Sequence, residues 1–131
     1  MHANLANGKE TIVFGNDSIV IQKFIAGIKG GRTLDVENFT PSVIKAGHVI
    51  IKLANGNYAP MPVSGEAYST LPEGASYAGI LVSSILKAKP FASILTIGQV
   101  NSECVPYPMT SIMSAFQTAC PHVEFIKDEE V

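Results

Sequence analysis

Charge is scarce in this chain of 131 residues: Asp, Glu, Lys and Arg make up 15% of it, against about 25% in ordinary soluble domains. So few charges leave much of the exterior neutral. A neutral exterior is either hidden against neighbours in an assembly or furnished by Ser, Thr and Asn, and composition leaves both open. The few cations are scattered, and the formal net charge is −2. Nucleic acid is therefore not the expected partner, because a phosphate binder gathers Lys and Arg on one face. No apolar run approaches the 18 or so residues of a membrane span, so no membrane partner is expected either. The first ten residues lack the basic and apolar regions of a signal peptide, which makes a cytosolic site of synthesis the expectation.

Cysteine is nearly absent too. Cys104 and Cys120 belong to no C-x-x-C pair, and both read as small buried hydrophobes of a reducing compartment. With His122 they form the one conceivable zinc cluster, but a zinc site needs three or four ligands at short local spacings and these do not supply them. Neither cofactor nor metal is expected. The glycines of Ala26–Arg32 are not followed by the lysine of a phosphate-binding loop and read as a turn. No G-x-S-x-G is present, and Cys104 lies in no nucleophile elbow. Asp35 and Glu37 would share a strand face, yet read as solvated charge. His48 stands alone at a strand entrance, where a hydrogen-bonded structural histidine is the ordinary case. A catalytic constellation is not visible, and no enzyme is expected.

What the chain does hold is a succession of short β-branched apolar runs punctuated by glycine, the pattern of strands joined by tight turns. The reading is α+β, mainly β: a small β-barrel-like core with an N-terminal hairpin and one C-terminal helix. Residues 1–10 form a flexible arm, 11–127 a single β-rich domain and 128–131 an acidic tail. Thr11–Phe14 and Ile19–Phe24 flank Gly15–Ser18 as the hairpin. Val49, Ile51 and Leu53 share one face of the next strong strand, with Ile50 and Lys52 on the other. Asn55-Gly56 closes a second hairpin, as a turn in which both positions take positive φ. Its returning strand carries Pro60 and Pro62 and must be an edge, or leave the sheet early.

Ser64–Ser76 reads as an exposed loop. Tyr77–Leu86 and Phe91–Val100 are the two most apolar strands. They lack strict alternation, which implies burial on both faces, and Gly79 and Gly98 within them mark bulges or close backbone approaches. Thr110–Cys120 is the helix, with Thr110 as N-cap, Ile112, Met113 and Phe116 on one face, and Pro121 as the stop. That stripe is core packing in the simplest reading, and a candidate subunit interface in the functional one. His122–Lys127 is a final strand.

The order of these features resembles the head decoration proteins of tailed phages, the family of phage lambda's. The likeness rests on Ile44-Lys-Ala-Gly47 opening a strand, a hairpin closed by Asn55-Gly-Asn-Tyr58, then Ala78-Gly-Ile-Leu81, and Phe91 to Val100 with its Gly-Gln-Val ending. It covers roughly residues 40 to 127. The resemblance implies a subunit that assembles as a homotrimer on the capsid surface of a virion, bound to the major capsid protein and stabilising the head without catalysis. It also implies that the polar arm, through Asn4, Leu5 and Asn7, is a candidate capsid contact that adds a strand to the shell. The competing reading is a small β-barrel ligand-binding or carrier-like domain of a cellular protein.

Overall fold

Val49, Ile50 and Ile51 are each fully buried, and their neighbours explain the fold. In the computed structural model, which describes residues 20–28, 30–37 and 39–126, Val49 and Ile51 belong to one apolar cluster and Ile50 to another. Successive side chains of a strand point to opposite faces, so the sheet that holds them has a core on each side. The same split separates Ile80 from Leu81 and Leu95 from Ile94. Burial on both faces is why these segments show continuous apolar runs in place of alternation.

That sheet has six strands. β1 (Ile21–Gly27), β11 (Ile94–Asn101), β8 (Ser76–Leu81), β4 (Val49–Lys52) and β5 (Tyr58–Pro60) lie in this spatial order, and β12 (Val123–Ile126) pairs with β11. All neighbours are antiparallel except β11 and β12, which run parallel with Gly98 opposite Val123. Parallel neighbours need a crossover, and the helix α1 (Met113–Ala119) lies within it. Three two-stranded ladders complete the described part: β2 (Arg32–Thr33) with β10 (Phe91–Ala92), β3 (Val43–Ile44) with β9 (Ile85–Leu86), and β6 (Val63–Ser64) with β7 (Ala67–Tyr68).

The protein is mainly β with a C-terminal helix, but among the described residues no sheet closes into a barrel. The physical reason lies at β5. Pro60 has no N–H to offer a further strand, and the Tyr58 carbonyl is already taken by the Asp35 N–H at 2.7 Å. The edge position that the prolines imply is therefore realised. Of the segment expected as the second arm of an N-terminal hairpin, the strand runs from Ile21 to Gly27 and pairs with β11; the expected first arm and turn lie outside the described residues, as do the 1–10 arm and the acidic tail.

The Asn55-Gly56 hairpin forms with a different turn from the one expected. Only Gly56 takes positive φ, at 91°. The Gly56 N–H donates to Leu53 O and the Leu53 N–H to Asn57 O, the pattern of a three-residue loop whose last position is left-handed. Asn55 contributes through its side chain, whose Oδ1 accepts the Asn57 N–H at 2.9 Å. Gly79 behaves as the sequence suggests: it faces Ile50 where β8 carries an irregularity against β4, and a Cβ there would collide with Leu95 O. Gly98 is pressed in the same way against Lys23 O.

Three further expectations are corrected. Phe91–Val100 is not one strand, because Phe91 and Ala92 pair with Thr33 and Arg32 and β11 begins only at Ile94. Tyr77–Leu86 is not one strand, because the chain leaves β8 after Leu81, and Ile85 and Leu86 pair with Ile44 and Val43 instead. The helix is shorter than Thr110–Cys120: it begins after Ile112, which occupies the N-cap without a side-chain hydrogen bond. Thr110 lies in the turn ahead of the helix, where the Ile112 N–H donates to Met109 O at 3.0 Å.

Candidate functional site

The segment Ser64–Ser76 supplies the first surprise. It is exposed or half-buried as expected except at Tyr68, but it begins with the β6–β7 hairpin around Gly65, and Tyr68 turns inward to only 6% exposure. Its hydroxyl oxygen accepts the Val49 N–H at 3.0 Å. Val49 opens β4, and its amide has no strand partner at that point, so Tyr68 satisfies a backbone donor that would otherwise be buried unpaired. Burial raises the Tyr68 hydroxyl far above the ordinary tyrosine range. Tyr68→Phe removes the acceptor and leaves the donor buried. The expected loss is about 1–3 kcal/mol, read as a lower urea midpoint at unchanged slope.

Beside Tyr68 stands His48, 1% exposed. The turn through Gly47 delivers it: the Gly47 N–H donates to Leu81 O, the His48 N–H to Lys45 O, and the Leu81 N–H to His48 O. This pins the backbone on the β8 side. The ring is enclosed edge-on by Phe39, Tyr68 and Tyr107, with centroids 5.2, 5.2 and 5.5 Å away. Its Nε2 lies 2.9 Å from Met61 O. A carbonyl can only accept, so Nε2 carries the proton and Nδ1 of the neutral ring is an acceptor. Burial lowers the His48 pKa to about 4, partly opposed by the bond to Met61 O. The ring is neutral at pH 7.

His48, Phe39 and Tyr107 also line a cavity of about 390 Å³, together with Pro41, Ser42, Val43, Lys45 and Pro106. Its walls come from the 39–45 segment on one side and the Pro106–Tyr107 turn on the other. It is the described feature with the most varied chemistry: aromatic faces, a histidine nitrogen, a hydroxyl and, at an exposed position, an ammonium group.

Apart from His48, the residues singled out from the sequence lie elsewhere. Ile112 and Phe116 are buried in the chain's own core, and Met113 is half-buried against it. Phe116 stacks edge-on with Tyr77 and Phe125 at 5.6 and 5.7 Å. A side chain already withdrawn from water by its own chain has nothing further to bury against a partner, so of the stripe only Met113 retains surface to offer. Asn4, Leu5 and Asn7 lie outside the described residues. Asp35 Oδ1 accepts the Glu37 N–H at 3.1 Å, a local turn contact. Cys104 and Cys120 form no disulfide. Burial pushes the Cys120 thiol up to about 11, and its Sγ lies 3.7 Å from Tyr77 O, so it packs as a small apolar side chain. Among the described residues no three His, Cys, Asp or Glu side chains gather as metal ligands, and no helix is long and apolar enough to cross a membrane.

The cage was invisible in the sequence because Phe39, His48, Tyr68 and Tyr107 are far apart in it. The one local hint was Tyr68, a lone aromatic in a polar stretch with turn residues on either side. No family model, curated protein or solved structure matches this chain.

Proposed function

We propose that this chain is a non-enzymatic structural subunit that decorates and stabilises a phage capsid, bound as a homotrimer to the major capsid protein on the head surface. On this reading it is made in the host cytoplasm and resides on the virion. The observation that carries the proposal is where apolar surface is left uncovered. Phe24 and Ile25 are 55% and 57% exposed, and Phe91 58%. Phe24 and Ile25 belong to β1 at one end of the main sheet, and Ile97, also exposed, lies on the adjoining β11 opposite Ala26. Exposed aromatic and β-branched side chains along the β1–β11 edge of a charge-poor chain, with Phe91 on β10 besides, favour a reading in which neighbours cover them. The order of strands, hairpin and late helix along residues 40 to 127 supports the same reading by its resemblance to tailed-phage decoration proteins. Several such contacts per trimer turn weak individual attachments into durable ones.

Mass in solution tests this first. A trimer of about 42 kDa is expected from the 13.9 kDa chain, and a monomer at high micromolar concentration overturns the proposal. Replacing Phe24 and Ile25 by serine at these exposed positions is expected to shift the species toward monomer while leaving the circular dichroism spectrum unchanged. Deleting residues 1–10 is expected to abolish co-sedimentation with expanded heads and to spare trimerisation; unchanged head binding removes the arm from the attachment mechanism. The competing reading, a ligand-binding domain, draws on the cavity beside His48. A monomer that retains a small molecule through purification favours it.

A further inference from the structure

We propose that the cavity beside His48 is a binding site for a small planar aromatic acid that carries an O–H or N–H donor on its ring. Three observations converge. The first is size: about 390 Å³ falls at the lower end of the range of roughly 300–1,000 Å³ typical of small-molecule pockets. That room suits one or two rings, not an extended chain. The second is the wall. Phe39 and Tyr107 both stand edge-on to His48, at 5.2 and 5.5 Å with interplanar angles of 90° and 88°, so aromatic surface flanks the histidine on two sides. A flat apolar ring is what such a slot accommodates best, through stacked or edge-to-face contacts.

The third observation is the unmet polar group. His48 is 1% exposed, its Nε2–H is committed to Met61 O, and among the described residues no hydrogen bond reaches its Nδ1. A buried acceptor without a donor costs free energy, and an occupant of the cavity can supply one. Because Nδ1 can only accept, the ligand must bring the proton. A ring hydroxyl or a ring N–H does so, whereas an ether, an ester or an unsubstituted ring does not. Lys45, on the same cavity and exposed, adds a positive charge where a carboxylate can lie with its second oxygen in water. Ser42, also on the cavity lining, adds a hydroxyl to this polar end. A phosphate ester fits less well, since one lysine faces it and the remaining lining is aromatic, proline and valine.

This proposal stands apart from the capsid reading: a trimeric decoration subunit or a monomeric carrier could each hold such a ligand, and solution mass does not bear on it. The test titrates the full chain with 4-hydroxybenzoate and follows the His48 ring by ¹⁵N NMR. A shift of Nδ1 toward the hydrogen-bonded position is expected with 4-hydroxybenzoate and not with 4-methylbenzoate, which has the same shape and charge but no donor. The methyl compound is expected to bind about tenfold more weakly. Lys45→Ala, an exposed substitution that should not disturb folding, is expected to weaken 4-hydroxybenzoate severalfold and to leave 4-methylphenol, which has the donor but no carboxylate, unaffected. Equal response to 4-hydroxybenzoate and 4-methylbenzoate overturns the role of Nδ1. An Nδ1 signal that does not move at millimolar 4-hydroxybenzoate overturns the site.

Discussion

Lowering the pH from 7 to 4 is expected to remove about 3 kcal/mol of folding stability through His48 alone. The native ring has a pKa near 4 because it is shut away from water, against 6.5 for an exposed histidine. Between those two values the unfolded chain binds a proton that the folded chain refuses, so unfolding gains ground as pH falls. Above pH 6.5 the ring is neutral in both states and contributes no slope. Below about 4 it is charged in both, and the loss is complete. Carboxylates titrate in the lower part of this window as well, so the comparison that isolates the histidine is a variant that cannot titrate. His48→Phe is expected to be less stable than wild type at pH 7, because Met61 O loses its donor, yet to show a flatter fall in urea midpoint between pH 6.5 and 4.5. Parallel curves for the two proteins would remove His48 from the acid response.

Phe116→Ala is expected to cost about 3–5 kcal/mol, the range for an aromatic deleted from a packed core. The ring has no exposed surface and lies against Tyr77 of β8 and Phe125 of β12, so it ties the helix to two strands of the main sheet. Nothing adjacent can collapse into the gap without moving a strand. Met113→Ala, at a half-buried neighbour, should cost well under half as much. Urea unfolding at two protein concentrations separates this from a seam between subunits: a core residue lowers the midpoint by the same amount at both. If the deficit of Phe116→Ala vanishes at high protein concentration, the side chain belongs to an interface.

The parts of this fold that could be read in the sequence are those where chemistry acts over a few residues. Asn55-Gly56 marked its hairpin because a left-handed position needs glycine, although Asn55 proved to act through its side chain and not through a positive φ. Pro60 marked an edge because proline cannot donate. The burial of both faces at Ile80–Leu81 and at Ile94–Leu95 followed from their unbroken apolar runs. The misreadings occurred where a distant partner overruled the local pattern. Tyr77–Leu86 looks continuous, but Val82 N–H turns to Ser93 O and the Ser84 hydroxyl accepts the Ala46 N–H, which diverts the chain toward β3. Thr110 is a better cap than Ile112 by residue type, yet the tight turn from Met109 leaves Ile112 at the helix start. The cage around His48 has no spacing to detect, since its four rings arrive from four separate segments.

The rim of the main sheet at β5 has one more effect. A ribbon grown by laying sheet beside sheet needs free N–H donors and carbonyl acceptors on both rims of every copy. Here one rim is shut, because Pro60 has no N–H to donate and the Asp35 amide occupies Tyr58 O. Copies crowded together can therefore meet side chain to side chain and still not zip into a fibre. That asymmetry protects the chain at high concentration.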